Sequence, residues 1–221
     1  CRDRNIQSVA KAICDEFPLM NSVMMAEGIK IVHDLAVPPN GGRHRLSLDS
    51  LWAVGCVAEL FSSERILKDA GIRELVNSLH LLAQIRETNL NLDLYTGDSI
   101  RRMVQALKHH LPNMNDQDIG LFASAAVALK LDTIKYASAI EIEALNRIQG
   151  MSGETLSDIA ILHDVIGSPD AFLAPAIARA FEIGAGNWEV RENARIAFSL
   201  SSIYANFSSK DRFDNLTYKE Q

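Results

Sequence analysis

The stretch "LFASAAVALKLD", residues 121–132, decides how this chain folds. Its apolar residues do not alternate with polar ones, so it is not a half-buried strand. It is apolar nearly all round, with alanines at 123, 125, 126 and 128. A helix of that kind must be covered on every side, so the stretch predicts a helix sandwiched between neighbours. Small residues at the contact let those neighbours approach closely.

A related segment, "DIAILHDVIGSPD" (158–170), begins 37 residues later, and "RIAFSLSSIYANF" (195–207) begins another 37 on. Met114, Met151 and Trp188 mark the same junction in each unit, a turn just before a helix. Asn115, Ser152 and Asn187 stand where N-caps belong, because their side chains can accept the free N–H groups of a first turn. Gly150 and Gly186 stand where helix C-caps are expected. The units then predict helices over 117–130 and 133–148, over 154–166 and 170–184, and from 190 onward. Ala123, Ala125, Ala126, Ala128, Ala160 and Ala197 are the expected contact positions. Stacked helix pairs bury a shared core that no single pair can bury alone. The expected fold is therefore all-α, an α-solenoid of stacked antiparallel helix pairs with a period of about 37 residues. The alternative is an irregular helical bundle in which the spacing is accidental.

The rest of the chain is helical in pattern as well. Straight-chain residues and alanine dominate, and aromatics are only 6%, a balance that favours helices. Periodicity predicts helices over 5–16, 20–36, 47–61 and 72–87, with a short one from a Ser cap at 62–63 to Gly71. Residues 89–98 read as a loop, and 99–111 as a helix stopped by Pro112. The expected organisation is a helical pair at 1–36, a Pro/Gly linker at 37–46, diverged repeats at 47–113, repeats at 114–207 and a polar tail at 208–221.

No run approaches 18 apolar residues, so no membrane-spanning helix is expected. The cysteines, Cys1, Cys14 and Cys56, form neither a disulfide framework nor a zinc pattern, which points to a reducing compartment. The chain opens on Cys rather than Met, as a processed protein or a fragment would. Residues 114–200 hold twelve acids and six bases, so the whole net charge of −6 lies on the repeated half. Nucleic-acid affinity comes largely from Lys and Arg, so a broad phosphate-binding surface is not expected there.

The residues "DIGLFASAAVALKLDTIKYASAIEIEAL" (118–145), with echoes at 155–184 and 190–205 and a diverged copy at 47–60, resemble organellar helical repeats. These are the octotricopeptide and heptatricopeptide repeats and the helical regions of FAST-kinase-like and RAP-domain proteins. The resemblance covers about half the chain. It implies a mitochondrial or plastid role in RNA handling or at the ribosome. The pentatricopeptide pattern is similar in length, but its base-reading side chains find no positions here, and no RAP domain is visible.

Candidate sites are few. His109 and His110 with Arg101, Arg102 and Lys108 make the densest basic group. They could touch RNA or a partner, or simply form a solvated face that offsets a helix dipole. Arg43 and Arg45 make a second basic spot, in the linker. Trp52 and Trp188 border repeat-like helices. Each is either packing between units or an anchor for a protein partner, since Trp is over-represented in binding hot spots. His163–Asp164 and His33–Asp34 are adjacent pairs whose side chains diverge by about 100° on a helix, which does not suit acid–base catalysis. His80 reads as a satisfied packing residue. No nucleophile elbow, phosphate-binding glycine loop or metal spacing is present. No catalytic, cofactor-binding or metal-binding residue is assigned, and no small-molecule substrate is evident. The expected function is a non-enzymatic scaffold or accessory subunit of a large mitochondrial complex such as a mitoribosome, with protein subunits as partners. The alternative is an RNA-binding repeat protein of organellar RNA processing or translation.

Overall fold

The computed structural model of the chain describes residues 2–37, 45–131, 140 and 142–166. Helices α1 (Arg2–Glu16), α2 (Ser22–Ala36), α3 (Leu48–Phe61), α4 (Glu64–Asp69), α5 (Ile72–Thr88), α6 (Asp93–Leu107) and α7 (Asp116–Ala128) follow in order. Residues 142–147 are helical (α8), and α9 spans Gly153–Ile166. There is no strand among the described residues, and no helix there is long and apolar enough to cross a membrane. The protein is all-α. The expected linker from 38 to 44, the junction at Asp132, the helices 170–184 and 190–207, Asn187, Gly186, Ala197 and the tail lie outside the described residues.

The chain divides into two compact units, Cys1–Asn113 and Met114–Gln221. In the first unit α1 packs on α3 and α3 on α6, while α2 packs on α5. Contacts of α1 with α2, α2 with α3 and α5 with α6 join the two rows. Helices α1, α3 and α6 begin at Arg2, Leu48 and Asp93, an interval of about 45 residues, in the range of two- and three-helix repeats.

Each helix buries the stripe its sequence marks. On α2, Met25, Ile29, Val32 and Ala36 are buried; on α1, Ile6, Ala10 and Ile13 are. Asn21 caps α2 by accepting from Met24 N at 2.9 Å, and Ser47 caps α3 by accepting from Ser50 N at 3.2 Å. The α1–α2 turn is held by Arg65 of α4. Its guanidinium donates to Phe17 O at 2.7 Å and Met20 O at 2.8 Å and lies over the Phe17 ring. Gly71 does not end α4. It is the N-cap of α5, and Ala70 closes α4.

The register of α3 against α6 is fixed at four levels. Leu46 N donates to Asn89 Oδ1 at 2.7 Å. Gly55 meets Tyr95 so closely that a β-carbon would stand 2.7 Å from Tyr95 Cβ and 2.9 Å from its carbonyl oxygen. Ser99 Oγ donates to Glu59 Oε2 at 2.9 Å, and Arg102 donates to Ser62 Oγ at 2.9 Å and to Glu59. The partners rise together along both chains, so the two helices run parallel.

One expectation fails here. Residues 89–98 are not a loop. A 3-10 turn at Leu90–Leu92 leads straight into α6, which starts at Asp93. Thr96 Oγ1 donates to Leu92 O at 3.0 Å and Asp93 pairs with Arg86, so the polar residues that read as a loop are spent on the first turns of a helix. The helix also ends earlier than expected, at Leu107, with a 3-10 turn at Leu111–Asn113 carrying Pro112.

In the second unit α7 packs directly on α9. Asn115 caps α7 by accepting from Asp118 N at 2.8 Å, and Ser152 accepts from Thr155 N at 3.2 Å at the start of α9. Ala123, Ala125, Ala126 and Ala160 are buried, and a β-carbon at Gly120 would lie 3.2 Å from Thr155 Cα. Gly150 closes a 3-10 turn, Ile148–Gly150, rather than serving as a left-handed cap.

Helix α7 stops at Ala128, short of the expected 130, for a reason visible in the backbone. Lys130 has a φ of 50°, Leu131 N donates to Ala126 O at 3.0 Å, and Lys130 N donates to Val127 O at 3.1 Å. This is the Schellman arrangement, whose left-handed position favours glycine. Lys130→Gly is expected to raise stability by about 0.5–1 kcal/mol, read as a higher urea midpoint. An unchanged or lower midpoint would contradict the backbone assignment.

Candidate functional site

The basic candidates are placed first by their partners. Arg102 clasps Glu59 and Ser62 of α3 and holds two helices together. Arg101 pairs with Asp98 at 3.2 Å, both exposed, a pairing that solvent weakens. Lys108 caps the end of α6, and His109 follows it; both are exposed. A shallow groove of about 450 Å³ between α4 and α6 is lined by Arg102 and His109 together with Glu64 and Lys68, which pair at 2.8 Å. With Arg101 and Arg102 engaged, these four residues do not converge as free cations. Arg45 is exposed at the start of the segment leading into α3. Arg43 and Trp188 lie outside the described residues.

Trp52 is different. It sits in the first half of α3 with 62% of its surface exposed. Other large apolar side chains are exposed at the same end of α3 and α6. Leu48, one turn earlier on the same helix face, is 61% exposed. The parallel register of α3 and α6 puts Trp52 at the same end of the helix pair as Leu90 and Leu94, which are 67% and 79% exposed. Scattered exposed leucines are ordinary on a protein surface, but four large exposed apolar residues at one end of α3 and of the turn and first residues of α6 are the candidates for a docking patch. Of these, the sequence singled out Trp52 alone. Leu90 and Leu94 were hidden by reading 89–98 as a loop.

A second concavity, of about 430 Å³, lies between α2 and α5. It is lined by His33 and Asp34 from α2 and by Ser78 and His80 from α5, among others. His33 Nδ1 stands 3.0 Å from Asp34 Oδ1, and its Nε2 is buried without a partner. His80 Nε2 stands 3.0 Å from the Gln84 amide nitrogen, and its Nδ1 is likewise buried and unpartnered. Burial of His80, with a smaller contribution from the neighbouring His33, holds its imidazole below the ordinary range. His80 is thus not the fully satisfied packing residue the sequence suggested. The His33–Asp34 pair does meet, but as a side-by-side hydrogen bond on one helix. The side chains of His163 and Asp164 lie outside the described set.

The thiols of Cys14 and Cys56 are both pushed up, first by burial. A raised thiol is a poorer nucleophile at neutral pH. Among the described residues no group of three or more His, Cys, Asp or Glu side chains is placed to hold a metal ion. Comparison of the chain with protein families, with curated proteins and with solved structures finds no match.

Proposed function

We propose that this chain is a non-enzymatic α-solenoid scaffold that docks a protein partner at the patch around Trp52, as a subunit of a larger mitochondrial assembly such as a mitoribosome. The observation that carries the reading is the exposure of Trp52, with Leu48, Leu90 and Leu94 exposed at the same end of α3 and α6. An indole held on a rigid helix brings large contact area at low entropic cost, which is why Trp dominates binding hot spots. The row of α1, α3 and α6 and the row of α2 and α5 support a repeat architecture. Its interval in the first unit is nearer 45 residues than 37. The compartment follows from the likeness of 118–145 to organellar repeats. RNA binding is the weaker reading, because Arg102 is engaged with Glu59 and Arg101 with Asp98.

The test compares native particles containing the wild-type chain or Trp52→Ala, sized with and without RNase. Trp52→Ala is expected to leave folding intact, since the ring is largely in water. It should weaken docking by about 30-fold or more, the effect of losing a hot spot of at least 2 kcal/mol, and shift the chain towards its monomer mass. If the variant still runs in the large particle, the patch is not the docking site. If RNase alone releases the wild-type chain, the RNA reading replaces this one.

A further inference from the structure

The cleft between α2 and α5 shows a chemistry that the scaffold reading does not use. Three of the side chains that line it, His33, Ser78 and His80, each hold a buried polar atom without a hydrogen-bond partner. Ser78 is only 1% exposed. The two rings come from different helices and are electrostatic neighbours. Their hydrogen-bond roles follow from the nitrogens that are partnered. The ionised Asp34 carboxylate can only accept, so His33 Nδ1 carries the ring proton and Nε2 is left as an acceptor. The Gln84 amide nitrogen donates to His80 Nε2, which leaves the His80 proton on Nδ1 as a donor. The Ser78 hydroxyl serves in either sense.

The cleft therefore pairs one acceptor, one donor and a hydroxyl across two helices. Its volume of about 430 Å³ suits a small molecule, since such sites are concavities of roughly 300–1,000 Å³ with a few convergent polar groups. Val23, Ala26 and Leu81 give it apolar wall. Its charges nearly balance, with Glu27, Asp34 and Glu74 against Lys30 and Arg73, and Glu27 and Lys30 pair with each other at 3.9 Å. That balance favours a neutral ligand. A carboxylate would bring only acceptors to the lone pair of His33 Nε2. An ammonium would bring only donors to His80 Nδ1–H. A carboxamide carries N–H and C=O side by side and answers both nitrogens.

We propose that the α2–α5 cleft binds a small neutral molecule through a carboxamide, which donates its N–H to His33 Nε2 and accepts from His80 Nδ1, with Ser78 as a third contact. Selectivity follows from the same pairing. A buried site that hydrogen-bonds its ligand rejects an analogue lacking the donor or the acceptor, because a protein group is then left unpaired. Water is the rival occupant. It satisfies either nitrogen but brings nothing to the apolar wall.

The experiment is NMR of the histidine rings of the full chain at pH 7.5, titrated with benzamide, benzoate and benzylamine. The three probes share a ring and differ in the polar group. Benzamide should shift the His33 and His80 signals saturably, with a dissociation constant of about 1 mM or tighter, as expected of so small a ligand. It should leave His109 and His110 unmoved and bind at least tenfold more tightly than either analogue. His80→Phe keeps a ring in place but removes the donor, and should weaken benzamide at least tenfold. If that variant does not fold, the three probes on wild type decide alone. No saturable shift with benzamide, equal binding of all three probes, or shifts confined to rings other than His33 and His80 would each overturn the site and leave water as the occupant.

Discussion

Gly55→Val should destabilise the first unit by about 3 kcal/mol or more, the upper range of overpacking. The β-carbon alone would stand 2.7 Å from Tyr95 Cβ and 2.9 Å from the Tyr95 carbonyl oxygen. One of those atoms is backbone, and neither is the free end of a flexible side chain. The parallel α3–α6 contact would have to open, and with it the Glu59–Arg102 clasp one turn further on. Gly55→Ala separates the opposing terms. Alanine is better than glycine in a helix interior by about 1 kcal/mol, yet it brings the same β-carbon. A net loss of stability is therefore expected for alanine too, smaller than for valine. Urea midpoints of the three proteins decide the matter. A Gly55→Ala protein at least as stable as wild type would show that α3 and α6 are not in this contact.

Asp93→Ala is expected to cost about 2–3 kcal/mol, somewhat below the range for breaking a fully buried pair. Arg86 is the reason. Its side chain is only 8% exposed, and it meets Asp93 through two bonds, Nε to Oδ1 at 2.5 Å and Nη2 to Oδ2 at 2.6 Å. The hydrogen bonds to Asp93 raise an already high guanidinium pKa, so the cation does not escape by losing its proton. Removing the carboxylate leaves a buried cation without its bidentate partner, while Asp93 itself is 47% exposed and loses less. The asymmetry is testable. The double variant Arg86→Met/Asp93→Leu should recover most of the loss, because an apolar pair removes both the charge and its need for a partner. A double variant as unstable as Asp93→Ala alone would mean that the pair acts by shape rather than by charge.

The two sites differ in how far the sequence showed them. The caps at Asn115 and Ser152 are local devices, so short-range reading finds them. The buried stripe Met25, Ile29, Val32 and Ala36 is equally local. The start of α6 was missed because Asn89, Asn91, Thr96 and Gly97 each favour turns. What outweighs them is non-local or lies outside propensity: Asn89 accepts from Leu46 N, 43 residues away, and Arg86 reaches forward to Asp93. Gly97 itself has no neighbour near its missing β-carbon, so nothing in the packing explains a glycine there. That one error hid Leu90 and Leu94, and with them the patch that gives Trp52 its setting. The imidazole cleft was invisible for another reason. His33 and His80 are far apart in sequence, and only the packing of α2 on α5 sets them facing.

The packing of the first unit also bears on how the chain is made. Its principal contacts join helices one to three places apart along the chain, α1 with α2 and α3, α2 with α5, α3 with α6. Closing loops of similar, moderate length costs similar entropy each time, so no single late contact must wait for the rest. A nascent chain that has released residues through Phe61 from the ribosome can already bury α1 and α2 against α3. Each later helix then finds a finished surface on arrival, which limits the time that apolar faces such as those of α3 and α5 stand exposed to other chains.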